Sequence, residues 1–477
     1  MKENSRFTAG AFQKFPAILI YISLIIFSGS CHSYYSGKAP TTRPDTPTRP
    51  YNPQAAKWLD WNILFKPGTN AASQNQAMNK LNQYIRDYIN TYNDSTGNHF
   101  AIDQYLFNCP CDSLLWNLSA IPLAGSGQAP VPPPNPKSGG GVGGSGDAVA
   151  YVNPNNSFTM DSTMAQQDTI YTNGKVQLEA SSIDDSKTLA VMDTGLDSTL
   201  FEKRFAGLLW SAPEGQTLRN FQFFNNGQPL DYYFDDETNK HGTAVTAIAL
   251  QALESMNPSL HVKPSVMVLK VLDNHKTGST FTVSCALSYA IQKQATLVNA
   301  SLGYYSTGEV DSVLRHYLKL CSQAAPHPIQ VLAAAGNLPG SHDKPLCHDA
   351  DNGNELNRTR LFYPACFNVD FTNIISVTGL SSSGMACFYQ NYSSSFVTVG
   401  VVTNPGSGNC CKFPVEFLKS GYEGSSFATP VISGEIMGCL LGTVGAVSPN
   451  CLGTISNTQS VKKVTIDGRY VNYTSPQ

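Results

Sequence analysis

Five short apolar runs between residues 188 and 380 constrain the fold more than any other feature of the chain. They are TLAVMD (188–193), VMVLKVLD (266–273), ATLVNASLG (295–303), IQVLAAAGN (329–337) and IISVTGL (374–380). A strand with one wet face alternates apolar and polar residues, and these runs do not alternate. Continuous apolar character over such short lengths belongs to strands covered on both faces, the condition of a parallel sheet. Helical patterns separate most of the runs. Val245, Ile248, Ala249, Ala252 and Met256 share a face after His241, and others lie near 281–294, 308–324 and 426–442. Strand–helix alternation predicts an α/β fold with a mostly parallel central sheet between helices. In such folds the functional groups gather beyond the carboxyl ends of the strands.

Those ends carry polar residues. Asp193 closes the first run in VMDTGLD, His241 opens a helix in NKHGTAVTAIAL, and Asn337 closes VLAAAGN. In EGSSFATPVISG (423–434), Ser425 and Ser426 stand between Gly424 and a helix of small residues. Taken singly, each has an ordinary reading: a capping Asp, a surface His, a turn Asn, an N-cap Ser. A serine at a helix start also lies beside unpaired N–H groups and the positive end of the helix dipole, where an oxyanion is favoured.

Order and spacing join these residues. The blocks DTG, HGT and GSSFATP occur in the order of the catalytic blocks of the subtilisin-like serine proteases. KVLD (270–273), SLG (301–303), AAGN (334–337) and YPA (363–365), followed by IISVTGL, lie between them in register. Residues 185–446 therefore resemble that family, the subtilases. The resemblance implies a three-layer subtilisin-like α/β fold and a serine endopeptidase that cuts protein or peptide substrates through an acyl-enzyme. It makes Ser426 the nucleophile, His241 the base that takes its proton, and Asp193 the carboxylate that orients the imidazole. It gives the oxyanion donors to the Asn337 side chain and the Ser426 N–H. Ser301, Leu302 and Gly303 would pair with the extended substrate, and that segment together with Ala334, Ala335 and Gly336 would wall its side-chain pocket. Phe362 falls near the pocket base; pointing inward, it would leave a shallow pocket suited to small side chains. Ala428, Ser433 and Gly434 would let the nucleophile's helix pack tightly, with Pro430 near its first turn, where a missing N–H costs least. The chain departs from the family at Ala244, in place of a second His, and at Ser425, in place of Thr; neither position transfers protons. The chemistry requires no cofactor. Structural calcium occurs in the family, but no loop here is clear enough to assign. The alternative is an inactive subtilase-fold binding protein anchored at the cell envelope, which the intact triad positions and Asn337 disfavour.

The remaining chain reads as an export and folding apparatus. Lys2, Arg6 and Lys14 precede PAILIYISLIIF (16–27) and SGSC. A charged start, a dozen apolar residues and small residues make a secretory signal over 1–31, too short for a comfortable membrane span. Cys31 resembles the lipidated cysteine of bacterial lipoproteins, although Ser28 replaces the usual aliphatic residue. Lipidation there would anchor the chain to a membrane, with 32–56 as a Pro-rich tether. The protein is thus expected to be exported, either held at the cell envelope or secreted. Residues 57–120 read as a small α+β module: a strand in WNILFKPGTN, a helix with Met78, Leu81, Ile85, Tyr88 and Ile89 on one face, and a strand in HFAIDQYLFN. NILFKPGT and the helix resemble the pro-segments of subtilases, which assist folding and cover the active site until cleaved. Residues 121–183 read as a Pro/Gly-rich linker and lead-in, 184–455 as the peptidase domain, and 456–477 as a tail.

Twelve cysteines in an exported chain suggest disulfides. Without Cys31 the number is odd, so at least one thiol stays unpaired. Cys285, Cys321 and Cys439 fall in apolar helical patterns and read as buried thiols. Cys109-Pro-Cys111 reads as having a local structural role rather than forming a redox or metal pair. A bridge is expected between Cys347, in the lengthened segment from Asn337 to Tyr363, and Cys366 just beyond it, while adjacent Cys410-Cys411 has no evident role. Charged residues are only 14% of the chain, 31 basic against 34 acidic, without like-charge blocks. Nothing in this pattern points to a nucleic-acid partner or a polybasic membrane patch, and none is expected.

Overall fold

The structure is a computed structural model that describes residues 56–136, 148–160, 170, 173–178, 182–211, 221–223, 231–256, 261–306, 308–338, 354–387, 389–403, 412–442, 451–458 and 464–473. The signal with Cys31, the tether up to residue 55, Cys347 and the Cys410-Cys411 pair lie outside the described residues.

The N-terminal part begins with β1 (Leu59–Phe65), α1 (Ala71–Thr96), β2 (Ile102–Cys109) and β3 (Asp112–Pro122). A fourth strand, β4 (Val149–Pro154), lies in the stretch read as linker. The sheet order is β2-β3-β1-β4, every pairing antiparallel. Alternation along β1 explains its two faces. Trp61, Ile63 and Phe65 join Leu81, Ile85 and Ile89 of α1 in one core. Leu64 points the other way, into the core of the larger part. Asn70 caps α1 by accepting the Ser73 N–H at 2.9 Å. Beyond the sheet comes the three-residue strand β5 (Ser157–Thr159).

The larger part contains, in order, β6 (Ser182–Asp193), α2 (Phe205–Leu208), β7 (Phe221–Gln222), α3 (His241–Met256), β8 (Val262–Lys270), β9 (Thr277–Ser279), α4 (Thr280–Gln292), β10 (Leu297–Ala300), β11 (Tyr304–Tyr305) and α5 (Ser312–Ser322). There follow β12 (Gln330–Ala334), β13 (Phe362–Tyr363), β14 (Ile374–Leu380), β15 (Val399–Thr403), β16 (Lys412–Val415), β17 (Leu418–Glu423), α6 (Ser425–Gly442), α7 (Cys451–Ile455), β18 (Asn457–Thr458) and β19 (Arg469–Tyr473). The five apolar runs all become neighbours in one nine-stranded sheet of order β18-β19-β15-β14-β12-β10-β6-β8-β7. Only β18 runs antiparallel to its neighbour. Both faces are covered, as the unbroken apolar runs require. Leu189, Val191 and Val268 pack with α3 and α6, whereas Ala190, Met192 and Met267 pack with α4 and α5. This is the three-layer α/β arrangement expected.

Cysteine pairing differs from the sequence reading. Cys285 is bonded to Cys109 of β2, and Cys439 of α6 to Cys451 of α7; neither is a buried thiol. Position in an apolar helix pattern reports burial, not what lies opposite. Cys366 is a free buried thiol rather than a partner of Cys347. Its sulfur accepts the Phe362 N–H at 3.3 Å, and burial pushes it up to about 12. Cys321 is free and buried as read.

Candidate active site

The site forms where three carboxyl ends of strands meet the starts of two helices. Asp193 is the last residue of β6 and almost fully buried. Its Oδ1 accepts the Thr194 N–H at 2.8 Å and lies 2.6 Å from His241 Nδ1. A carboxylate can only accept, so Nδ1 carries a hydrogen, and in the neutral ring Nε2 keeps its lone pair.

His241 is the first residue of α3, where backbone N–H groups have no intrahelical partner. Each finds an acceptor nearby. The His241 N–H donates to Glu237 Oε2 at 3.1 Å, the Gly242 N–H to Thr194 Oγ1 at 2.8 Å, and the Thr243 N–H to Asp235 Oδ2 at 2.9 Å. Acidic caps also suit the positive end of the helix dipole. Burial raises the Asp235 carboxyl, and its bonds from Thr243 work against that rise. The sequence reading missed Asp235 and Glu237. The signal was there: acidic residues immediately before a helix start are a capping pattern.

α6 begins at Ser425, and Ser426 is its second residue. The helix lies against α3 with almost no gap: a Cβ on Gly434 would come 2.0 Å from the Ala249 carbonyl oxygen. This contact brings the two helix starts together, so the Phe427 ring is 4.8 Å from the His241 ring. Pro430 falls inside the helix, beyond the first turn where the sequence reading put it. A proline there leaves the carbonyl four residues earlier without its helical donor. That carbonyl is Ser426 O, and it accepts the Ser301 hydroxyl at 2.6 Å. Ser301 in turn accepts from Asn299 Nδ2 at 2.9 Å, and Asn299 Oδ1 accepts from the Ser433 hydroxyl at 2.8 Å. The break in the helix ladder is thus the joint that fixes Ser426 to the end of β10.

Asn337 follows β12. Its Oδ1 accepts from the Ser425 N–H at 3.1 Å and the Ser425 hydroxyl at 3.2 Å. The Gly336 N–H donates to that same hydroxyl at 3.0 Å. With its carbonyl oxygen so engaged, the Asn337 amide presents only N–H donors elsewhere. Ser425 therefore orients Asn337, a task its hydroxyl performs in place of threonine.

Ala334 and Ala335 are buried at the end of β12, and Leu302 is buried after β10. Phe362 lies between the two walls. A Cβ on Gly303 would meet its ring at 2.3 Å, and one on Gly336 at 2.7 Å. Only glycines leave room for the ring, which is also packed edge-on against Tyr305 at 5.0 Å. Among the described residues no group of three or more His, Cys, Asp or Glu could hold a metal ion.

The sequence model of the subtilase family matches residues 184–455, and the chain belongs to that family. Thermitase of Thermoactinomyces vulgaris is 28% identical over 247 residues, covering 50% of this chain and 75% of thermitase. The thermophilic serine proteinase of Bacillus sp. (strain AK1) is 24% identical over 292 residues, 60% of this chain and 59% of that one. Subtilisin-like protease 3 of Plasmodium falciparum (isolate 3D7) is 28% identical over 176 residues, 36% of this chain. The match spans only 21% of that last relative's length.

Proposed function

We propose that the chain is a serine endopeptidase acting on protein or peptide substrates. The observation that carries this reading is the buried 2.6 Å bond between Asp193 and His241 Nδ1, at a helix start packed beside the one that begins Ser425-Ser426. His241 Nε2 takes the Ser426 hydroxyl proton as the oxygen attacks the scissile carbonyl, and Asp193 stabilises the imidazolium without taking the proton. The Asn337 amide and the Ser426 N–H hold the oxyanion. His241 then returns the proton to the departing amine, and water repeats the cycle to release the acyl group. No cofactor enters these steps. Labelling by a fluorophosphonate tests the reading: wild type is expected to react and Ser426→Ala not to. A folded, uncovered wild type that fails to react would end it.

Substrate preference follows from Phe362. With its ring between Gly303 and Gly336, the slot for the residue before the cleaved bond is short, and Ala, Ser or Gly are expected there. A chromogenic peptide series that favours Phe or Leu at that place would refute this. Phe362→Gly is expected to open the slot to large side chains. Residues 57–120 fit a pro-segment, with cleavage of the chain between 120 and 183. Export, with Cys31 as a lipid anchor, completes the reading; among the described residues no helix is long and apolar enough to cross a membrane. Metabolic labelling with a fatty acid, lost in Cys31→Ser, checks the anchor.

A further inference from the structure

The N-terminal sheet is joined to the peptidase part by more than the polypeptide. Cys109, at the end of β2, is bonded to Cys285, in the middle of α4, across 176 residues of sequence. Both cysteines are buried. Around them Leu64, Cys111 and Leu115 of the N-terminal sheet share one apolar core with Tyr289, Leu314 and Tyr317 of α4 and α5. Polar bonds cross the same seam. The Tyr317 hydroxyl donates to Asp112 Oδ2 at 2.6 Å, Asn62 Nδ2 donates to Thr280 Oγ1 at 2.9 Å, and Gln292 Nε2 donates to the Cys111 carbonyl.

From this docked sheet an arm reaches toward the site. Asn155, just after β4, accepts the Phe281 N–H at 2.8 Å through Oδ1, adding to the Ser279 cap at the first turn of α4. β5 then adds itself antiparallel to β9, with Phe158 opposite Gly278, and the Met160 N–H donates to the Lys276 carbonyl at 3.0 Å. The Phe158 ring stacks on Tyr304, 5.9 Å away, the residue that directly follows Ser301-Leu302-Gly303. An extended segment paired to a sheet edge beside the substrate stretch is what a bound peptide would look like.

We infer that the disulfide keeps this cover on the enzyme after the chain is cut. The inference rests on the protease reading above. Any cleavage between Met160 and Ser182 falls between Cys109 and Cys285, so the products remain one covalent molecule of two chains. The arm then stays at a local concentration on the order of millimolar. It stays against Tyr304, beside the Ser301-Leu302-Gly303 stretch that the protease reading gives to substrate, and hinders binding there, so hydrolysis alone does not open the site. Because both cysteines are buried, opening requires the seam to part locally so that a dithiol reaches the bond. One of its thiolates attacks Cys109 or Cys285 sulfur and forms a mixed disulfide; its second thiol closes the ring and is oxidised, while both cysteines are reduced to thiols. Loss of the module follows.

The test uses the full chain, purified under oxidising conditions after self-cleavage, beside a Cys109→Ser/Cys285→Ser double variant. Cleaved wild type is expected to run as one species without reductant and two with it. The double variant is expected to shed the N-terminal fragment in gel filtration and to cleave peptides with a KM at least tenfold lower at similar kcat. Dithiothreitol should move the wild type toward that KM and leave the variant unchanged, which discounts reduction of other disulfides. Should the double variant not fold, Phe158→Ala in the intact disulfide background is expected to lower KM by loosening the arm. Release of the module from oxidised wild type, or equal KM values with and without the latch, would overturn the inference while leaving the protease reading intact. Absence of fluorophosphonate labelling in every form would instead sink the protease reading, and this inference with it.

Discussion

β1 and the second half of β6 are both buried, but their second faces are covered by different means. In β6, Leu189 and Val191 meet α3 and α6 while Ala190 and Met192 meet α4 and α5, all elements of one α/β unit. In β1, Trp61, Ile63 and Phe65 meet their own helix, α1, but Leu64 is covered by the peptidase part and buried Asn62 finds a partner in Thr280 of α4. The peptidase sheet carries its own cover on both sides; the N-terminal sheet borrows half of its cover. The small sheet is therefore built as a fourth layer on the subtilase-family unit rather than as a separate domain. Its buried Asn62 has partners of its own in Asn155 and Asn117 and gains Thr280 from the docking surface.

The sharpest way to break this comparison is at the catalytic end. If activity resides wholly in the self-contained unit, Ser426→Ala should lower kcat by about 10⁴–10⁶ while leaving the docked layer in place. The expected readout is loss of peptide hydrolysis with an unchanged thermal melt. Full-length, uncut protein should accumulate in the same sample. Residual hydrolysis near the wild-type rate would place the nucleophile elsewhere.

The same contrast governs what could be read in advance. IISVTGL became β14 residue for residue, and His241 opens α3, because unbroken apolar runs and helical faces are local consequences of full burial. The family blocks marked Asp193, His241, Asn337 and Ser426 for the same reason: each stands at the end of such an element. What could not be read depends on partners distant in sequence. AVAYVNP looked like linker because a short strand beside a Pro/Gly-rich stretch gains its identity only by pairing with β1. Cys109 could not be matched with Cys285, since nothing local says that β2 docks on α4. The role of Pro430 was hidden too, because the donor that answers its missing N–H comes from Ser301.

Within the self-contained unit the helix pair α3/α6 should be the least tolerant place. Gly434→Ala would push a methyl into the Ala249 carbonyl, so a loss of about 3 kcal/mol or more is expected by urea unfolding. Gly438 provides the contrast one turn on. A Cβ there would meet the Met256 sulfur at 3.1 Å, on a flexible side chain, and Leu253 atoms at ordinary contact distances of 3.6 and 3.8 Å, and Gly438→Ala should be near neutral. Similar costs at both positions would mean the helices are not held by that contact. The borrowed interface should be softer. Tyr317→Phe removes the hydroxyl that answers Asp112, for about 1.5–3 kcal/mol. The effect should appear as faster proteolytic release of the N-terminal layer under reducing conditions, with peptide hydrolysis by the released enzyme unaltered.

The smallest effect expected is also the most discriminating, because the two regions should answer pH with opposite sign. Burial pushes Glu435, in α6, from 4.5 up to about 8. Between those values the folded state holds a proton that the unfolded state has lost. Its contribution is full below about 4.5 and is lost as pH rises to about 8. At the borrowed interface the His316 ring lies tilted beside Tyr151, and burial lowers its pKa below 6.5, a drop that Asp112 resists and Lys319 reinforces. There the folded state binds fewer protons, so docking is strongest above 6.5 and weakens as pH falls through the lowered value. Glu435→Gln should flatten the alkaline decline of the peptidase unit and raise Tm by a few degrees at pH 8; the gain stays small because a buried amide also wants partners. His316→Gln should leave that decline intact and remove the acid-side loosening of the N-terminal layer. Hydrogen exchange followed separately in α6 and in β4 across pH 5–8 would read both. Parallel slopes in the two elements would mean that the layer and the core open as a single unit.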